Sequence, residues 1–87
     1  MDDSKSGKNG LLKCPCCGNY TINPETPMYA ICPVCYWEND PLQLDEPDYA
    51  GGANSVSLNQ ARENYQMFGA CEKDCISYVR KPNKDEM

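Results

Sequence analysis

A small, metal-stabilised α+β fold, built as a zinc-ribbon-like β-hairpin with one or two C-terminal helices, is the architecture this sequence predicts, on three observations. Four of the seven cysteines form two Cys-x2-Cys pairs, Cys14/Cys17 and Cys32/Cys35, with 14 residues between them. The chain has only 87 residues, is thin in aliphatic side chains, and carries seven prolines and six glycines. Such a chain buries a limited apolar core and needs a staple, either a metal, disulfides or a partner. Leu58, Ala61, Tyr65 and Phe68 then recur at spacings of three, four and three, the signature of one helix face.

Taken in order, residues 1–10 are polar and expected as a disordered lead-in, with no apolar run of a signal peptide behind them. The cysteine-rich domain is expected over residues 11–82. Leu11 and Leu12 lead into the first knuckle, Cys14-Pro15-Cys16-Cys17-Gly18. Tyr20-Thr21-Ile22 alternates like a short strand, residues 23–27 hold two prolines and turn, and Met28-Tyr29-Ala30-Ile31 is a second strand-like run. These two strands are expected to pair around the 23–27 turn, gathering a cysteine pair at each open end. Residues 38–55 form an acidic loop too long for an ordinary connection, expected to be solvated. Ser57 and Gln60 spell a capping box, and Gly69 a helix stop. Cys71 to Val79 is expected as a second short helix with Cys71, Cys75, Ile76 and Val79 facing inward. Residues 83–87 are expected as a flexible C-terminus.

With no histidine in the chain, a metal site must be built from thiolates. Zinc favours tetrahedral sulfur and nitrogen ligands, and four cysteines make a closed structural site. The expected ligands are Cys14, Cys17, Cys32 and Cys35, holding one Zn(2+) per chain; iron in the same pocket is the lesser alternative. Cys16 is set aside because pairing it shortens the spacing too far. Disulfides are disfavoured by a cytoplasmic reading of the sequence, where thiols stay reduced. The second knuckle has Tyr36 where the first has Gly18. This predicts a less regular turn or an aromatic lid over the metal.

The remaining features read as ordinary structure. Cys71 and Cys75 would share a helix face, where cysteine serves as a small buried hydrophobe, and no further ligand nearby suggests a second metal. Glu38, Asp40, Asp45, Glu46 and Asp48 lack the ligand rhythm of a calcium loop. Tyr36, Trp37 and Tyr49 are expected to supply core that the hairpin lacks, against the alternative of an exposed aromatic patch. No histidine base accompanies a nucleophile, and four cysteines leave no open metal position, so no enzyme is expected. The net charge of −5 and the absence of a basic stripe disfavour nucleic acid.

The segments CPCCG (14–18), ICPVCYWEND (31–40), EPDYAGGAN (46–54), SLNQARENYQMFGA (57–70) and YVRKP (78–82) together resemble the bacterial cysteine-rich CPCC family. The resemblance spans nearly all of residues 14–82 and implies a small, single-domain, zinc-binding protein; it supplies no activity. It also singles out residues 48–54, expected to pack back on the ribbon, and Arg62 to Tyr65, which the knuckles alone do not explain. The expected function is a structural-zinc module that binds an unknown protein partner. The alternatives are a nucleic-acid-binding zinc ribbon and a thiol redox or metal-handling protein using Cys16, Cys71 and Cys75.

Overall fold

Each cysteine pair closes its own tight turn, and the two turns are built alike. In the computed structural model, which describes residues 9–87, the Cys14 amide donates to the Asn19 carbonyl at 2.8 Å and the Gly18 amide to the Cys14 carbonyl at 2.9 Å. The second turn repeats both bonds, Cys32 to Trp37 at 2.9 Å and Tyr36 to Cys32 at 2.7 Å. Strands β1 (Leu12–Lys13) and β2 (Tyr20–Ile22) flank the first turn as an antiparallel pair. A single antiparallel bridge, Ile31 to Glu38, flanks the second.

The hairpin is therefore not the one expected. Strand β2 pairs backwards with β1 across the first knuckle, and residues 28–31 do not form a strand beside it. A knuckle is itself a hairpin loop, so the segments on either side of it meet at the smallest closure cost. The 28–31 run is also broken by Tyr29, whose φ of 61° lies in the left-handed region.

The acidic segment folds around a buried amide. Helix α1 (Pro41–Asp45) starts at Asp40, whose side chain accepts from the Leu42 amide, with Pro41 in the first turn. From α1 the fully buried Gln43 reaches back into the loop. Its Nε2 donates to the carbonyls of Tyr49, Asn54 and Val56, and its Oε1 accepts from both nitrogens of Asn54. Asn54 in turn pairs with the Glu38 backbone in both directions. This packs residues 48–54 against the exit of the second knuckle. A Cβ on Gly52 would lie 2.5 Å from Asp40 Oδ2 and 3.0 Å from the Gln43 side chain, so a larger residue would push these two buried groups out of place. Asp45, Glu46 and Asp48 are exposed, as expected, but Asp40 is buried.

Helix α2 (Leu58–Phe68) follows the expected pattern. Ser57 Oγ accepts from the Gln60 amide at 3.0 Å, and Gly69 ends the helix at φ 82°. The capping box is only half formed, because the Gln60 side chain turns to Asn64 instead. Leu58 and Ala61 are buried, Tyr65 and Phe68 half-buried. The next segment is a 3-10 helix, Lys73–Tyr78, whose Ile76 is exposed. Cys71 is buried just ahead of it, with Cys75 half-buried inside it.

Residues 83–87, expected to be flexible, contain a further 3-10 turn, Lys84–Glu86. Arg80 grips Glu86 through two guanidinium bonds of 2.9 Å, and the Asn83 amide adds a third at 2.8 Å. The expectation for the N-terminus falls largely on residues 1–8, outside the described ones. Asn9 already belongs to the fold, donating to the Tyr20 carbonyl at 3.0 Å.

Five of the ten residues in the buried core are cysteines: Cys14, Cys16, Cys32, Cys35 and Cys71. Ile22, Val34, Trp37, Leu58 and Ala61 complete it. Trp37 is a core residue without exposure, and its Nε1 has no hydrogen-bond partner among the described residues. No helix is long and apolar enough to cross a membrane among the described residues.

Candidate metal centre

The two knuckles present their cysteines to each other. Sγ atoms of Cys14, Cys17, Cys32 and Cys35 all lie within 4.8 Å of one another. Cys14 Sγ is 3.6 Å from Cys35 Sγ, and Cys17 Sγ is 3.7 Å from Cys32 Sγ. Tetrahedral coordination at a metal–sulfur distance of about 2.3 Å places ligand sulfurs about 3.8 Å apart. These separations fit that edge and are far longer than the S–S bond of about 2.05 Å in a disulfide. The four residues could therefore hold a metal ion, which would supply charge neutralisation and a four-way crosslink. Cys16, buried in the core, lies outside the group.

Hydrogen bonding among the sulfurs divides them. Cys17 and Cys32 are held below the ordinary thiol range, each chiefly by Cys14. Cys14 and Cys35 are held above it, chiefly by Cys17 and Cys14 respectively. A cation entering the site would displace the protons that the thiols still carry. Thr21 Oγ1 also donates to Cys32 Sγ at 3.0 Å. Donors from outside the ligand set orient and stabilise a thiolate. Strand alternation puts Thr21 on the opposite side from its neighbours Tyr20 and Ile22, but only the observed β1–β2 pairing shows which side the cysteines occupy.

Tyr36 gives the clearest correction. The second knuckle is not irregular; Tyr36 adopts φ 70°, close to the 81° of Gly18, and makes the same backbone bond. Its ring stacks on Tyr78, with centroids 5.3 Å apart and planes at 26°. The left-handed conformation is uncommon for a bulky residue and costs roughly 1–2 kcal/mol. The stack returns roughly 0.5–1.5 kcal/mol.

The rest of the chain braces the knuckles from outside. Arg62 Nε donates to the Pro15 carbonyl at 2.9 Å, and Asn19 Nδ2 reaches the Tyr65 hydroxyl at 3.4 Å, so α2 holds the first knuckle. The Cys71 amide donates to the Cys35 carbonyl at 2.8 Å, and Asn64 Nδ2 donates to the Cys71 carbonyl at 2.9 Å. Arg62, Asn64 and Tyr65 thereby acquire the role that sequence reasoning left open. Burial pushes the thiols of Cys71 and Cys75 up from the ordinary range.

A search of curated proteins finds no match to this sequence. The sequence model of the cysteine-rich CPCC family matches residues 12–86, from β1 through the buried Glu86. The chain belongs to the cysteine-rich CPCC family.

Proposed function

We propose that this chain is a structural-zinc module of the zinc-ribbon kind, working in the cytoplasm as a protein-interaction domain without catalytic activity of its own. The observation that carries this reading is the group of four sulfurs within 4.8 Å of one another, two of whose separations match a tetrahedral edge. A metal with four protein ligands has no position left for water or substrate, and it serves the fold. A net charge of −5 argues against a phosphate-binding surface. Burial raises the Cys71 and Cys75 thiols, so in the free chain neither is poised as a thiolate nucleophile unless a cation displaces its proton.

The surface available to a partner differs from the one expected around Tyr36 and Trp37, since Trp37 is enclosed. Tyr29, Ile31, Leu42, Leu44 and Tyr49 are large apolar side chains exposed by roughly half, at the second knuckle and on the acidic segment. Exposed aromatics beside carboxylates suit a partner with a basic rim and an apolar centre.

Two measurements on the purified chain test the reading. Elemental analysis should find one tightly held zinc in colourless protein; a red, iron-containing protein would refute the structural-zinc assignment. Photo-crosslinkers at Tyr29 and Tyr49 should trap a defined partner in cells. That product should disappear in a Leu42→Ser/Leu44→Ser variant whose zinc content is unchanged. Trapping that is indifferent to the variant, or no product at all, rejects the interaction surface.

A further inference from the structure

We infer that Cys71, Glu72 and Cys75 form a second, open metal site that takes an exchangeable thiophilic divalent cation such as Zn(2+). The inference goes beyond the structural-zinc reading and shares no ligand with it. Sequence spacing suggested two buried hydrophobes lacking further ligands. The missing donor lies between them, because Glu72 projects to the same point. The two sulfurs and a carboxylate oxygen of Glu72 lie within 4.8 Å of one another.

The backbone sets this arrangement. Cys71 is fixed through both its backbone groups, its amide donating to the Cys35 carbonyl and its carbonyl accepting from Asn64 Nδ2. The Cys75 amide donates to the Glu72 carbonyl at 3.0 Å, closing one tight turn that returns Cys75 to Cys71. Ser55 Oγ lies 3.1 and 3.0 Å from the two oxygens of Glu72, tethering the carboxylate from the neighbouring loop. A ligand oriented by an outside donor is a recurrent feature of built metal sites.

The surroundings differ from those of the four-sulfur cluster. Cys71, Glu72 and Cys75 line a cavity of about 300 Å³ together with Tyr36, Glu38 and Asn54. Three protein ligands and an adjoining cavity leave a fourth position for water, an added small ligand or a donor's thiolate. That is the composition of an open site, whereas the first site is closed. Two thiolates select a borderline or soft cation over magnesium or calcium. Binding of one divalent cation releases the protons of both thiols to solvent, with no change of oxidation state.

The test uses the full chain with its first site filled by zinc, kept reduced by a non-chelating phosphine. Added Zn(2+) is counted by native mass spectrometry and mapped by amide chemical shifts. A second equivalent is expected, with shift changes at residues 71–75 and at Ser55. A mild chelator should remove it and leave the first zinc in place. Cys75→Ser, a half-buried position that the core tolerates better than Cys71, should abolish it. Glu72→Gln should weaken it by about ten-fold or more, and Cys16→Ser should leave it unchanged. A single equivalent at saturating zinc overturns the inference. So does a second equivalent that persists in Cys75→Ser, or one that is lost in Cys16→Ser.

Discussion

At the scale of single residues, Tyr36 and Thr21 make the sharpest predictions. Tyr36 combines an unfavourable backbone conformation with a favourable ring contact, so its substitutions separate the two. Tyr36→Gly relieves the first and loses the second, and should be within about 1 kcal/mol of neutral. Tyr36→Ala loses the stack and keeps the strain, and should destabilise by about 1 kcal/mol more than glycine does. Urea denaturation of the metal-loaded variants measures both; alanine proving the more stable of the two would contradict this account. Thr21→Val removes the hydroxyl that donates to Cys32. A hydrogen bond to a charged acceptor contributes about 1.5–3 kcal/mol, so metal affinity should fall about ten-fold or more in a competitive chelator titration. The grouping of Cys14, Cys17, Cys32 and Cys35 was legible, because cysteine spacing is a local property. Thr21 was not, because it meets Cys32 only when the chain brings the second knuckle beside β2. Glu72, adjacent to Cys71 in sequence, lacked any periodic signal to set it apart from the other carboxylates of the chain.

Elements divide along the same line. Helix α2 was readable from its cap, its period and its terminating glycine, all of them signals within a dozen residues. The hairpin partner was misread because residues 28–31 have a strand-like composition, while the knuckle reverses the chain sooner and pairs β2 with β1. The acidic segment hid its order in Gln43, a residue type that is seldom buried and gives no periodic signal. Gln43→Ala should strand several buried partners, at about 1–3 kcal/mol for each orphaned group. Hydrogen exchange should then accelerate across residues 49–56 while the knuckle amides keep their protection; uniform acceleration would refute a local role. At the C-terminus, Arg80 first, and then the Asn83 amide, hold the Glu86 carboxyl below its ordinary value of 4.5. A depressed folded pKa stabilises above the unfolded value, and that contribution is lost as pH falls through the folded one. Backbone protection over residues 80–87 should therefore decline on acidification below about 4.5. In Glu86→Gln the segment should already be loosened at neutral pH, with the acid step missing from its amide shifts.

For the whole molecule, the composition of the core decides the energetics. Half of its ten residues are cysteines, and three of the four candidate ligands are fully buried. Structural zinc contributes roughly 10–16 kcal/mol of apparent binding free energy in small domains. A domain's entire stability is about 5–15 kcal/mol, so removal of the metal should remove the fold. Cys14→Ser, Cys35→Ser or a strong chelator should each collapse amide shift dispersion; a native-like spectrum in chelator would show that the core stands alone. Metal affinity, and with it the stability of the fold, should fall on acidification, because protons compete with the cation for the cysteine sulfurs; a chelator titration repeated at lower pH measures the loss.

The near-identity of the two knuckles carries a consequence for how the chain can change. Each knuckle closes through its own backbone bonds, and within the segment joining them the turn after β2 faces solvent; residues 23–26 are all exposed. A metal held by both knuckles would make the segment between them part of a crosslinked ring, with that turn at its surface. Doubling the length of a flexible loop costs only about 0.6 kcal/mol. The stretch around Pro24 is thus a place where whole new segments can be spliced in, leaving the clamp and the bracing helix as they are.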